Sequence, residues 1–248
     1  MITNSEAGTR IDEIADGIYR ISTPVHVIPG GFTFNQYLVR DEAPLLFHSG
    51  LRRLFPLVRE AIAAVLPVES LAYIGLSHFE ADECGALNEF LAVAPRAIPL
   101  AGKTAVLVSV SDYADRPPRA LEDDEKVSLG RHELRWCATP HLPHAWECGH
   151  LFDATTRTLL CGDLFTQPGA DHPPATEADI LGPSEAMRQS MDYYAHAPNS
   201  RALLERLAAL EPTTLACMHG SAWRGDGARL LRALAEKLDA ERPASAAA

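Results

Sequence analysis

The chain has 248 residues, of which 47% are hydrophobic and 22% charged, so it is long enough to bury a sizeable core. Its formal net charge of −11 argues against binding to nucleic acid or to an anionic membrane. No stretch approaches the roughly 18 to 20 apolar residues of a membrane-spanning helix, and the polar N-terminus does not resemble a secretory signal.

Strands and helices alternate in the first half of the chain. Apolar runs bounded by turn residues predict strands, and apolar residues at helical spacing predict helices. The predicted strands are "GIYRISTPV", "FNQYLVRDEAPLLFHSG" with a turn at "RDEAP", "LAYIGLS" and "RAIPLAG". The predicted helices are "LFPLVREAIAAVLP", "ECGALNEFLAVAP" and a segment beginning at "KTAVLVSVSDYA".

The second half begins with two predicted hairpins and continues with helices around one last strand. The hairpins are "EKVSLGRHELRWCATP" and "GHLFDATTRTLLCGDLF", and a surface loop is predicted between Thr166 and Pro183. The later segments are the helices "PSEAMRQSMDYYAHA", "SRALLERLAALEP" and "DGARLLRALAEKLDAE", the strand "TTLACMHG", and a frayed tail over 242–248. This order predicts sheet layers with helices outside, in a single α/β domain over 1–248.

Ionisable residues follow the predicted core strands at four places. They are His78-x-Glu80-x-Asp82 after "YIGLS", His141 and His144 in "TPHLPHAWE", Asp163 in "TLLCGDLF" and His219 in "TLACMHG". If these loops meet at one edge of a sheet, they bring imidazoles and carboxylates together, which is the inventory of a two-metal site. Buried carboxylates cost several kcal/mol each unless a cation compensates them, and two metal ions would do so.

Taken together, these motifs resemble the metallo-β-lactamase fold, whose usual first motif is His-x-His-x-Asp-His. Here Glu80 replaces the second histidine, and His-x-Glu-x-Asp is the form seen in flavodiiron proteins and related oxygen-binding diiron proteins. "TPHLPHAWE", "CGDLF", "CMHG" and "DYYAHA" are similar to later segments of that family. The resemblance runs from about Ile18 to Trp223 and implies an αββα sandwich, with two mixed sheets packed together and helices on the outer faces.

The resemblance also implies a ligand set. One metal ion would take His78, Glu80 and His144, the other would take Asp82 and His219, and Asp163 would bridge the two. The spacing from His144 to Glu147 matches the family loop better than the spacing from His141 does, so His144 is the expected ligand. His141 would then pack near the ligands or support them, and a ligand role for it stays open.

Two further residues have open roles. Glu83 stands where the family has its last histidine, and it could bind the second metal, hydrogen-bond to a ligand or face water. Hydrolases of the fold usually carry an aspartate at the position of His48, which could therefore hydrogen-bond a ligand carboxylate or simply pack in the core.

Aromatic residues near the motifs are candidates for the pocket wall. Trp146 and Trp223 flank ligand loops, although core packing is the default for both, and one of Tyr193 and Tyr194 could face the metals. The remaining histidines show no partner pattern and are expected to be surface or packing residues: His26, His132, His150, His172 and His196.

The carboxylate-rich ligand set favours iron over a zinc pair, although zinc or manganese could occupy the same ligands. We expect two metal ions, with chemistry at metal-bound O₂ or hydroxide and no protein nucleophile. The chain would bind O₂ or NO, either as a sensor or carrier or as an oxidoreductase. The alternatives are a dinuclear zinc hydrolase of an ester, thioester, lactone or phosphodiester, and a metal-free binding module.

The expected partners follow from the same resemblance. No Gly-rich phosphate fingerprint or rubredoxin-like cysteine pair is seen, so we expect no flavin bound by this chain and an external redox protein as electron donor. The five scattered cysteines are typical of reduced thiols and hence of a cytoplasmic protein. A homodimer rests on the family likeness alone.

Overall fold

The computed structural model describes residues 1–240, which contain two sheets and the helices that flank them; the predicted tail, 242–248, lies outside the described residues. The strands of the first sheet are β1 (Ile2–Asn4), β2 (Thr9–Ala15), β3 (Ile18–Val25), β4 (Phe32–Val39), β5 (Leu45–Phe47), β6 (Tyr73–Gly75), β7 (Ile98–Gly102) and β8 (Arg119–Leu121). Those of the second are β9 (Lys126–Ser128), β10 (Glu133–Ala138), β11 (Gly149–Asp153), β12 (Thr158–Gly162), β13 (Ala175–Thr176), β14 (Thr214–Cys217) and β15 (Ala222–Arg224).

The helices lie between the strands of each sheet in the sequence and after the last strand. They are α1 (Phe55–Ala63), α2 (Ala81–Cys84), α3 (Leu87–Val93), α4 (Lys103–Ala105), α5 (Ser111–Tyr113), α6 (Leu181–Met191), α7 (Ser200–Ala208) and α8 (Gly227–Ala240). A wider helical turn, Val106–Val110, joins α4 to α5. No helix in residues 1–240 is long and apolar enough to cross a membrane.

Both sheets are mixed. The first runs in chain order from β1 to β8, with antiparallel pairing up to β5 and parallel pairing from β5 to β8. The second has the order β13-β15-β14-β12-β11-β10-β9, in which β12 and β14 are parallel neighbours. The predicted pair of mixed sheets is therefore confirmed.

The core has three layers, and each has its own cluster of buried apolar side chains. One cluster lies between the sheets and joins residues such as Phe47 of β5 and Leu160 of β12. A second packs α1 and α3 on the first sheet, and a third packs α7 and α8 on the second. Because each helix buries one apolar stripe, the helices take the outer faces.

Several elements differ from the predictions. The predicted helix 83–95 is broken into α2 and α3 around Gly85, and the helix predicted through "DYYAHA" ends at Met191, where Asp192 adopts a left-handed conformation. The strands β1, β2, β8, β13 and β15 were not predicted. In β2 a register shift between Glu13 and Ala15 breaks the period of two that strand prediction relies on.

Candidate metal centre

The four ligand motifs leave their strands at one edge of the sandwich. His78, Glu80 and Asp82 follow β6, while Asp163 directly follows β12 and His219 follows β14, its parallel neighbour. Two antiparallel pairings relate β10 to β12, so β10 runs in the same direction and delivers His144 to the same edge. The topology thus brings loops from both sheets together.

Four side chains form a first group around a common point. Nε2 of His78 and Nε2 of His144 are 3.0 Å apart, and each lies 3.1 Å from Oε2 of Glu80. Oδ2 of Asp163 is 3.5 Å from both imidazole nitrogens. Donor atoms that each bind one ion at roughly 2.0–2.2 Å lie about this far from one another.

A second group forms on the other side of Asp163. Nε2 of His219 lies 3.4 Å from Oδ2 of Asp82 and 3.4 Å from Oδ1 of Asp163. Asp163 therefore turns one carboxylate oxygen to each group, which is the arrangement expected of a bridging ligand. The structure brings together all six residues predicted as ligands; that they bind metal remains a prediction.

The charges of the cluster perturb each other strongly. Hydrogen bonds from His144 and His78 lower the pKa of Glu80 to about 2. Burial alone would lower the pKa of His219, but Asp163 and Asp82 outweigh it and raise that pKa to about 10. A metal ion that bound here would displace these protons, as metal binding generally does.

Hydrogen bonds fix which nitrogen His78 presents to the cluster. The Ser77 N–H donates to Nε2 of His48 at 3.3 Å, so this nitrogen is an acceptor, and it lies 2.9 Å from the Ser77 hydroxyl. That hydroxyl lies 3.0 Å from Nδ1 of His78 and can accept its proton, which leaves Nε2 of His78 free to bind a metal. His48 therefore contacts Ser77 and no ligand carboxylate among the described residues, and of its two open roles the structure favours packing in the core.

The loop of His219 is held by a strand of the opposite sheet. Nδ1–H of His219 donates to the Thr33 carbonyl at 2.8 Å, so its Nε2 faces the cluster. Nδ2 of Asn35 donates to the carbonyls of Cys217 (2.9 Å) and Gly220 (2.8 Å), and Arg20 donates to Gly220 at 2.7 Å. No motif in the sequence pointed to this support, since polar residues in a strand usually face water.

Three of the predicted pocket residues lie elsewhere. Trp146 is 56% exposed and lines a separate surface pocket beside Lys103, while the indole N–H of Trp223 donates to the Ala178 carbonyl. Tyr194 is buried in the core of the second sheet. Its neighbour Tyr193 lines the pocket, so Tyr193 is the one of the two tyrosines that lies near the candidate ligands.

The other histidines stay away from the cluster. His141 is exposed, so His144 alone of this pair reaches the cluster, and His26 and His196 are also exposed. His132 is buried with Nδ1 3.1 Å from Asp153, and Nδ1 of the buried His150 lies 2.8 Å from the Thr139 hydroxyl.

A pocket of about 150 Å³ opens onto the cluster. Its wall combines the candidate ligands with apolar side chains from other elements, namely Phe32, Met187, Met191 and Tyr193. Such a space accommodates a small ligand next to the polar cluster.

The side chains present fit two metal ions. Among the described residues, Oδ1 of Asp163 and both carboxylate oxygens of Glu83 are buried without a hydrogen-bond partner, and bound cations would offset the cost of burying these carboxylates. The donor set of imidazole nitrogens and carboxylate oxygens suits iron, manganese and zinc.

Fold and site together define a metallo-β-lactamase-like protein with the core architecture of flavodiiron proteins. The family model described as ODP family beta lactamase matches residues 32–220, which is more than half of the chain, and the chain belongs to this family.

Named relatives agree with this assignment. The chain is 29% identical over 209 residues to rubredoxin-oxygen oxidoreductase of Megalodesulfovibrio gigas, covering 79% of this chain and 50% of the relative. It is 25% identical over 255 residues to nitric oxide reductase of Moorella thermoacetica, covering 94% of this chain and 62% of the relative. The chain therefore spans only part of each relative.

A solved structure shows the same fold. Rubredoxin oxygen:oxidoreductase from Desulfovibrio gigas superposes with a TM-score of 0.80 at 22% identity, covering 91% of this chain and 61% of that one. These names belong to oxidoreductases, so the comparisons do not favour the zinc-hydrolase alternative.

Proposed function

We propose that the chain is a dinuclear iron protein that binds O₂ or NO. The observation that carries the proposal is the position of Asp163, whose two oxygens face two separate groups of imidazole and carboxylate donors. Two iron ions held there would supply redox-active centres for a diatomic ligand.

Each candidate ligand has a distinct task. His78, Glu80 and His144 would hold one ion, Asp82 and His219 the other, and Asp163 both. The pocket beside the candidate ligands has room for a diatomic ligand, and part of its wall is apolar. We assign no protein nucleophile.

Turnover needs an electron source, and we propose an external redox protein. The support is the name of one relative, rubredoxin-oxygen oxidoreductase, of which this chain covers 50%. Without a donor the same centre would act as a sensor or carrier of O₂ or NO. We further propose a cytoplasmic location, supported by five unpaired cysteines, and a homodimer, supported by family likeness alone.

The test is metal analysis followed by gas exposure. The chain, produced in iron-supplemented cells without a metal-affinity tag, should contain two irons, and its reduced form should change its visible spectrum on exposure to O₂ or NO. The variant H219N, which removes one donor, should bind less than two irons.

Further readings separate the alternatives. Steady O₂ or NO consumption with a reduced redox protein would identify an oxidoreductase, and a stable spectral change without consumption would identify a sensor or carrier. Two zinc ions per chain that iron cannot replace, with no response to either gas, would contradict the proposal.

A further inference from the structure

A second pocket lies beside the loop that carries His144, outside the metal cluster. Its volume is about 210 Å³, against about 150 Å³ for the pocket that opens onto the cluster, and the two pockets share no lining residue. Lys103 and Gly102, at the end of β7, line it together with Trp146 and Glu147. The proposed binding of O₂ or NO makes no use of this pocket.

Two indoles supply most of the aromatic surface of the second pocket. Trp136 is 2% exposed and lines the pocket from the interior, whereas Trp146 is 56% exposed and lines it from the solvent side. Leu121 and Pro140 add apolar surface. Because the face of an indole carries partial negative charge, it attracts cations. These walls therefore suit a ligand that combines an apolar body with a positive charge.

Glu147 adds a negative charge that no basic side chain balances. Its side chain is 9% exposed, Oε1 accepts the N–H of Phe79 at 3.1 Å, and the carboxylate pairs with no basic side chain among residues 1–240. The other two carboxylates of the pocket, those of Glu122 and Asp123, each pair with a basic side chain. A cation bound beside Glu147 would offset the cost of burying its charge.

We infer that this pocket binds a small quaternary ammonium ion, seated against the indole of Trp146 and beside the carboxylate of Glu147. A primary ammonium carries three N–H donors, and each of them needs an acceptor. A quaternary ammonium carries none, so aromatic faces and one carboxylate are sufficient to hold it. The ligand class is accordingly a compound with a trimethylammonium group.

The position of Glu147 places this site next to the candidate metal centre without overlap. Glu147 follows His144 by three residues, and Phe79, whose N–H it accepts, stands between His78 and Glu80 in the sequence. The pocket wall includes none of the candidate ligands. The site therefore does not require bound metal, although its occupant lies one side chain away from two ligand loops.

The test is calorimetric titration of the iron-containing chain with choline and with dimethylbutanol, the uncharged analogue in which carbon replaces nitrogen. Wild type should bind choline and should bind the analogue at least about tenfold more weakly, because the contacts to a charge are lost. W146A should bind choline about threefold more weakly, which is the loss of one exposed cation–π contact. E147Q should lose about tenfold, since glutamine still accepts the Phe79 N–H but carries no charge.

A matched control is E133Q, since Glu133 is exposed and pairs with Lys126 at 2.8 Å outside the pocket. It changes the net charge by the same amount as E147Q and should bind choline as wild type does. W146A removes an exposed side chain and serves if E147Q does not fold.

Three outcomes would overturn the assignment. Wild type could fail to bind choline more tightly than dimethylbutanol, or W146A and E147Q could both bind choline with wild-type affinity. Tighter binding of a blocked lysine than of choline would show that the pocket takes a primary ammonium instead. All three leave the iron content of the chain unchanged, so the proposed metal function stands or fails separately.

Discussion

Two histidines of one loop, His141 and His144, differ in what their side chains reach. Nε2 of His144 lies 3.0 Å from Nε2 of His78, whereas His141 is exposed. Their spacing in the sequence is compatible with a ligand role for either, and only the path of the loop separates them.

We expect H144N to lose at least tenfold in affinity for one iron, because even partners of a ligand typically contribute about 10–100-fold. H141N is the matched control and should bind two irons as wild type does. Iron content after dialysis checks both variants. Equal losses in H144N and H141N would contradict the assignment of His144, rather than His141, as the ligand.

His150 makes the stability of the protein depend on pH. Burial is the main cause that lowers its pKa, from 6.5 to about 4. Between these two values the unfolded chain binds a proton that the folded chain does not, so stability falls as the pH falls through this window. The loss amounts to about 3 kcal/mol at most.

The variant H150Q should therefore lose less stability than wild type between pH 6.5 and 4, since glutamine takes up no proton in either state. Urea unfolding of both proteins at pH 7 and pH 4.5 measures the difference. Identical pH profiles would show that His150 does not titrate in this range.

At the scale of single residues, sequence reasoning located the candidate ligands because carboxylates and histidines at the ends of buried strands are unusual. It could not decide between Tyr193 and Tyr194, since adjacent residues beyond a helix end can face either way. It also did not foresee that Ser77 would separate His48 from the ligands.

Among the elements, strand β4 pairs within the first sheet and also contacts the loop of His219 in the second. Its Asn35 crosses to the second sheet and holds the two carbonyls that flank His219. The backbone N–H of the same residue donates to the Met218 carbonyl at 2.9 Å. Strand β4 thus positions a loop that is remote from it in the sequence.

We expect N35A to weaken iron binding about tenfold and to cost about 1–3 kcal/mol of stability, because two buried hydrogen bonds are lost, each contributing about 0.5–1.5 kcal/mol. N88A is a fitting control, since Asn88 also makes two hydrogen bonds, to Tyr113 and Asp115, but lies outside the cluster. It should cost similar stability and leave iron binding intact. Equal iron affinities in N35A and wild type would refute the positioning role.

The elements that sequence reasoning missed share a physical cause. The strands β1, β8, β13 and β15 have two or three residues each, too few to show a period, and β2 carries a register shift. The longer strands and the amphipathic helices α1, α7 and α8 were recognised, because their patterns repeat over several residues.

At the scale of the whole molecule, the stability of the fold depends on the contact between the sheets. Trp136 of β10 is 2% exposed and belongs to the central cluster. Gly102 of β7 and Gly149 of β11 both face its indole, and a side chain at either position would collide with it. The indole therefore fills space that the two glycines leave between the sheets.

We expect W136A to lower the free energy of unfolding by about 3–5 kcal/mol, through lost burial and the cavity left behind. W146A removes an exposed indole and should change the free energy of unfolding by no more than about 0.5 kcal/mol. Urea denaturation of the two variants makes the comparison, and similar losses would mean that Trp136 does not hold the sheets together.

The candidate ligands come from both sheets, three from the loop after β6 and three from loops of the second sheet. Ions bound there would act as a cross-link that exists in the folded state alone. A ligand of this kind stabilises the fold by about 2.7 kcal/mol when its free concentration is 100 times its dissociation constant. In iron-starved cells a larger share of the chain would be unfolded and open to proteases, so the lifetime of the protein would follow the iron supply without a separate regulator.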